Sequence, residues 1–209
     1  MLINTNVNAM LSINNLRKTN NELSIRLSRL SSGLRINSGA DDPSGLAIAK
    51  NMEARLGGLR TAVQNAEDGI SMIRIADGSL NETTSMLLRM RDLAVRASNQ
   101  ATLTTSDLSR INSEIQSLKA EITRKSSTVS FNSKVLFSGG FSGQALQVGA
   151  DNDTNLRLSV TISAMTLSRL GILTMSITSA GDAQAAIDLI NSSINQVSNT
   201  RATLGIQER

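Results

Sequence analysis

The chain has no cysteine, histidine, tryptophan or tyrosine, and only three phenylalanines and one proline in 209 residues. Each absence closes a route. Without Cys and His there is no Ser–His triad, no thiol nucleophile and no ordinary zinc site. Carboxylates remain for acid–base work, but a metal would need oxygen ligands alone. No disulfide can form, so cysteine usage gives no clue to compartment. With so few aromatics, buried area has to come from Leu, Ile, Val, Met and Ala, which suits thin helical bundles. No apolar run reaches the ~18 residues of a membrane helix. The start "MLINTNVNAM" has neither the basic segment nor the apolar core of a secretory signal.

The formal charge is +4, and it is uneven. Residues 1–60 carry 8 Lys+Arg against 4 Asp+Glu, while residues 61–209 carry 13 against 13. A basic segment can mark nucleic-acid or membrane binding. Here the basic residues never cluster beyond pairs (Arg17-Lys18, Arg124-Lys125), and no aromatics are interleaved for base stacking. Neither nucleic acid nor a membrane is expected as a partner.

What the sequence has is periodicity. Ile13, Leu16, Asn20, Leu23, Leu27, Leu30 and Leu34 alternate steps of three and four, a heptad seam with one polar interruption that can fix register. The same spacing returns in Leu59, Val63, Ala66, Ile70, Ile73, Asp77, Leu80, Thr84, Leu87 and Ala94, predicting a helix from about Leu46 to Ala97. Its glycines, Gly57, Gly58 and Gly69, cost about 1 kcal/mol each against alanine and mark places where another helix could come close. A polar turn, "NQATLTTSD", leads into a third helix with Leu108, Ile111, Ile115, Leu118, Ile122, Lys125 and Val129, capped from Thr105, Ser106 or Asp107. Residues 126–180 then turn to Ser, Gly, Thr and β-branched types. Short strands are expected at "KVLFSG", "ALQVGAD" and "NLRLSVTIS", with "GADNDTN" as a hairpin turn. A last helix begins near Asp182 and carries Ile187, Ile190, Ile194, Val197, Arg201 and Leu204. The fold expected is mainly α, a long coiled-coil helical rod with a small β-hairpin region. Three helices precede the β region and one follows, packing back on the second and third. Residues 1–45 form an N-terminal helix and joint, and residues 46–209 the rod domain.

Candidate chemistry is sparse. Asp151, Asp153 and Asn155 start like a calcium loop, but Leu156 stands where glycine is needed and Ile162 where the bidentate glutamate is needed, so a polar turn is the better reading. "SGGFSG" lacks the G-K-[ST] ending of a phosphate loop. Asp41-Asp42 could pair as acid and base, but capping the helix that starts in "DDPSG" fits better. Met72, Met86 and Met90 read as core filler. Arg89, Arg91 and Arg96 with Asp92 read, on spacing alone, as a solvated helix face. No catalytic site, cofactor or metal is expected, and the chain is not expected to be an enzyme.

Several longer stretches resemble the bacterial flagellin family: "INTNVNAMLSINNL", "LSSGLRINSGADDPSGLAIA", "LLRMRDLAVRASN", "FNSKVLFSG", "LQVGAD" and "SINQVSNTRATLGIQ". They occur in the family's order and are spread along nearly the whole chain outside residues 157–180. The resemblance implies an inner coiled-coil layer and an outer rod, joined between Leu34 and Leu46, in a subunit without the family's variable outer domains. It implies a secreted structural protein of the flagellum, passed through the type III export apparatus and assembled with other copies into a filament for motility. The seam Ile13, Leu16, Leu23, Leu27, Leu30, Leu34 would make the inner-layer contacts. It also implies recognition by the flagellin-sensing Toll-like receptor of animals, with Arg89, Leu93 and Glu114 as contact residues. A hook–filament junction protein shares the N-terminal style, but "RDLAVRASN" and "LQVGAD" favour flagellin. Family members continue into a further helix that pairs with the N-terminal one and binds the export chaperone. A chain stopping at Arg209, whether truncated or naturally short, is therefore not expected to bind that chaperone. A truncated form is expected to be a monomer with a loose N-terminus, acting only as a recognition ligand.

Overall fold

The computed structural model describes residues 6–99 and 101–209. Among them are five α-helices: α1 (Val7–Ser32), α2 (Pro43–Ala97), α3 (Thr105–Thr128), α4 (Leu167–Leu170) and α5 (Ala180–Gln207). There are four short strands: β1 (Ser130–Phe131), β2 (Lys134–Val135), β3 (Gln144–Gln147) and β4 (Arg157–Val160). The chain divides into two compact units, Met1–Gly58 and Leu59–Arg209, and the division falls inside α2.

The first unit holds α1, the joint and the start of α2. Asn6 caps α1 by accepting the amide of Ala9, and Gly33 ends it in the left-handed conformation with φ 69°. A glycine tolerates that conformation where a side chain would be strained. Leu34, the last seam position, therefore lies beyond the helix. Asp42 caps α2, its Oδ1 accepting from the amide of Gly45 at 2.9 Å, and Pro43 takes the first helical position. There its missing N–H costs nothing and its fixed φ suits the helix.

The second unit holds the core. Helix α2 contributes Ile73, Leu80, Leu87 and Ala94 as the heptad predicts, and Ala76, Thr83, Met90 and Ala97 beside them. The predicted Val63 is exposed, and Asp77 and Thr84 lie at the edge. The buried face is wider than one seam because α2 packs against more than one neighbour. Helix α3 adds Ile111, Ile115 and Ile122, and α5 adds Ala183, Ala186, Ile190, Val197 and Leu204. Arg201 of α5 forks onto Asp77 of α2 at 2.8 and 3.2 Å, which fixes how those two helices face each other. Helix α3 opens with a reciprocal capping box between Thr104 and Asp107, one residue before the range of caps expected.

The β region is two separate antiparallel ladders, β1–β2 and β3–β4. The first turns through Asn132 and Ser133, both at positive φ, as a two-residue hairpin requires. The strands are shorter than expected. After Val135 the chain leaves the ladder, and Leu136 and Phe137 enter the core, Leu136 donating its N–H to the Val129 carbonyl at 3.0 Å and the Phe137 carbonyl accepting from Met165 at 3.1 Å. After Val160 the chain does the same, burying Ile162, Met165, Leu170, Ile172, Met175 and Ile177 on its way to α5. Gly69 of α2 marks a close approach, but to the hairpin rather than to a helix. A Cβ there would lie 2.5 Å from Leu146 of β3.

Candidate functional site

Three places on the chain were singled out by sequence, and their geometries differ. The first is α1. Not one of its residues is buried. Within the seam, Ile13 is 50% exposed, Leu16 63%, Leu23 52%, Leu27 55% and Leu30 80%, and Leu34 beyond the cap is 60% exposed. Leaving a leucine in water forgoes roughly 1.5–3 kcal/mol relative to burying it. A row of this kind can be stable only against a surface the first unit does not itself supply.

The second place is the joint, Arg35 to Ala49. The Asp41 carboxylate organises it, accepting from the backbone N–H groups of Asn37 (3.2 Å) and Ser38 (3.1 Å), the Ser38 hydroxyl (3.3 Å) and the Arg29 guanidinium (3.2 Å). The two amides, with smaller help from Arg29 and the Ser38 hydroxyl, hold the Asp41 carboxyl below the usual carboxylate range despite some desolvation. Asn37 in turn donates to the Ser28 carbonyl at 3.1 Å, so the loop is tied back on α1. The two adjacent aspartates thus divide two structural jobs, Asp41 folding the loop and Asp42 starting α2. Neither is presented to a substrate.

The third place is the helix pair α2–α3. Arg89 donates through Nε (2.9 Å) and Nη2 (2.7 Å) to Glu114, and both bonds land on the same oxygen, Oε1. Both side chains are exposed, 57% and 44%, so the pair is worth on the order of 0.5 kcal/mol. Its Oε2 keeps acceptor capacity. The structure brings Arg89 and Glu114 together, while Leu93, one turn along α2 from Arg89, is only 4% exposed and belongs to the core.

The remaining motifs are structural. Asp153 accepts the backbone N–H and side-chain amide of Asn155, and Arg157 reaches Asn152 and Gln147, which closes the turn on itself. Among the described residues no group of three Asp or Glu is placed to hold a metal. No sequence pattern marks Lys119. It is 6% exposed and donates to the carbonyls of Leu173 (2.9 Å) and Met175 (2.8 Å), and its burial pushes its pKa down. It pins the unpaired stretch between α4 and α5 onto α3. Its signal is tertiary, a cation meeting carbonyls far along the chain.

Comparison with known proteins comes to the same place as these elements. A family model described as the bacterial flagellin N-terminal helical region matches residues 3–142. A flagellin of Halalkalibacterium halodurans is 38% identical over 208 residues, covering 100% of this chain and 76% of that one. A flagellin of Clostridium tyrobutyricum is 44% identical over 163 residues, 78% of this chain and 43% of its own. Polar flagellin C of Vibrio parahaemolyticus is 40% identical over 172 residues, 82% and 44%. The chain thus spans three quarters of one relative and less than half of the other two. Among solved structures, the crystal structure of Bacillus cereus flagellin superposes with a TM-score of 0.60 at 27% identity, covering 69% of this chain and 82% of that one.

Proposed function

Since the chain belongs to the bacterial flagellin family, we propose that it is a structural subunit of the extracellular flagellar filament, exported through the flagellar type III apparatus and working by self-association. The observation that carries this reading is α1, 26 residues of amphipathic helix without a buried side chain. Its seam needs helical partners, and other copies can supply them. Contacts of this kind, repeated head to tail without closing a ring, build a helical polymer. The test is co-sedimentation with flagellar seed fragments, the pellet viewed by negative-stain electron microscopy. The chain should enter filaments, and Leu23→Asp or Leu27→Asp should leave it in the supernatant with the second unit still folded. Normal incorporation of those variants would remove the seam from the mechanism.

A second reading rests on the Arg89–Glu114 pair. Its exposed fork, with one carboxylate oxygen still open, suits recognition by a flagellin-sensing Toll-like receptor. In that role Leu93 acts from beneath, holding the α2–α3 surface rather than offering its own side chain. Arg89→Ala should weaken receptor activation in a reporter-cell dose response without lowering the melting temperature by more than a degree or two. An unchanged dose response would remove Arg89 from the contact.

A further inference from the structure

Cationic side chains flank the α1 seam on both sides. In the heptad that places Ile13, Leu23 and Leu30 on one stripe, Arg17 and Arg26 fall on its two opposite sides, each roughly a quarter turn from the centre at ~3.6 residues per turn. Lys18 lies on the back of the helix. Arg29 is already engaged with Asp41. Arg17, Lys18 and Arg26 have no acidic partner among the described residues. Glu22 is the one acidic residue of the helix. An apolar stripe bordered on both sides by long cationic side chains fits a surface that is apolar inside and anionic at its rim.

We propose that α1, when it is not packed against another copy, binds the surface of an anionic lipid bilayer. The helix lies in the plane of the interface, with Ile13, Leu16, Leu23, Leu27 and Leu30 at the acyl boundary. Arg17 and Arg26 lay their methylene stems along the apolar edge and raise their guanidinium groups to the lipid phosphates. Asn20, which interrupts the stripe, and Ser24, on the same edge as Arg17, keep the helix shallow. A membrane is not expected from the sequence because no apolar run is long enough to span one and the basic residues cluster only in pairs, but Arg17 and Arg26 flank the stripe singly, one on each edge. No helix among the described residues is long and apolar enough to cross a membrane, but a helix lying in the interface has no need to. The same uncovered stripe underlies the filament reading, so the test has to separate the two.

The experiment is flotation of the whole chain, first shown to be monomeric by sedimentation, with vesicles of phosphatidylglycerol and phosphatidylcholine or of phosphatidylcholine alone. Binding should be at least about tenfold stronger to the anionic vesicles and should fall at high salt, as expected for two arginines at a charged surface. Arg17→Gln combined with Arg26→Gln should lose that preference yet still enter filaments from seeds. Leu23→Asp should lose binding to both vesicle types. Failure to float with anionic vesicles, equal binding to neutral ones, or full binding by Leu23→Asp would each overturn the proposal. A chain that enters filaments but ignores anionic vesicles sinks this inference alone, and one that floats but never enters filaments sinks the filament reading alone.

Discussion

Lys119→Met keeps most of the buried stem of the side chain and removes only the ammonium. Two charged hydrogen bonds would disappear, nominally about 3–6 kcal/mol in total. The structure reduces that figure. The Met175 carbonyl keeps the bond from Gln116 at 3.1 Å, and Leu173 is 56% exposed, so water can replace the lysine at its carbonyl. Relief of the buried charge offsets a further part. The net loss expected at neutral pH is about 1.5 kcal/mol, or roughly 3–6 °C in melting temperature for a chain of this size. The pH dependence is the sharper test. Burial lowers the folded-state pKa of Lys119 below its ordinary 10.5. In the window between the two values the unfolded chain holds more protons on this residue than the folded one. The stability it contributes therefore rises as pH climbs through the lowered folded pKa toward 10.5. Thermal melts followed by circular dichroism across alkaline pH should show the advantage of the wild type over Lys119→Met widening. An advantage that shrinks with rising pH would mean that the two carbonyls outweigh desolvation, and the reasoning would be wrong in sign.

Three further outcomes follow from the packing and the caps. Ile190→Ala, at a fully buried position of α5, should cost about 3 kcal/mol in urea unfolding, and a loss under about 1 kcal/mol would mean the core there collapses around the gap. Ser179→Ala removes the acceptor for the Asp182 amide at the start of α5 and should cost about 1 kcal/mol, with Ser179→Asp restoring most of it. Asp41 has a lowered folded pKa, so its hold on the joint is complete at neutral pH and fades as pH falls through that value. Hydrogen exchange at the Asn37 and Ser38 amides should be faster in Asp41→Ala than in the wild type at neutral pH. The two should converge in acid, and equal protection at neutral pH would remove Asp41 from its organising role.

The helices were legible because apolar spacing survives any tertiary detail. Ile73, Leu80, Leu87 and Ala94 stand on the predicted face and are buried. The partners of that face were harder to read, since Ala76, Thr83 and Ala97 are small or polar and become core only because neighbours come close. The β region is shorter than its alternation suggests. Alternation in "NLRLSVTIS" promised a strand to Ser163, whereas β4 ends at Val160 and Ile162 is buried outside any ladder. There the Ile162 N–H donates to the carbonyl of Phe141 at 2.8 Å, and further on Lys119 holds the chain from 54 and 56 residues away, pairings no local pattern encodes. For the sites, Arg89 and Glu114 were named on resemblance and the structure joins them. The burial of Leu93 follows from α2 having a wide packed face, which the single seam could not foretell.

Helix α1 is ordered without a core of its own, and that has a consequence in mass action. A segment whose apolar surface is covered only by other molecules takes its stability from their concentration. Below some critical concentration Val7–Ser32 should exchange between helix and coil, because an isolated helix of this length is marginal in water. Above it, ordering of the segment and addition to a growing end become one event. Growth from purified chain should then show a lag that seeds abolish, and the length of that lag would measure how much of the order in α1 is borrowed.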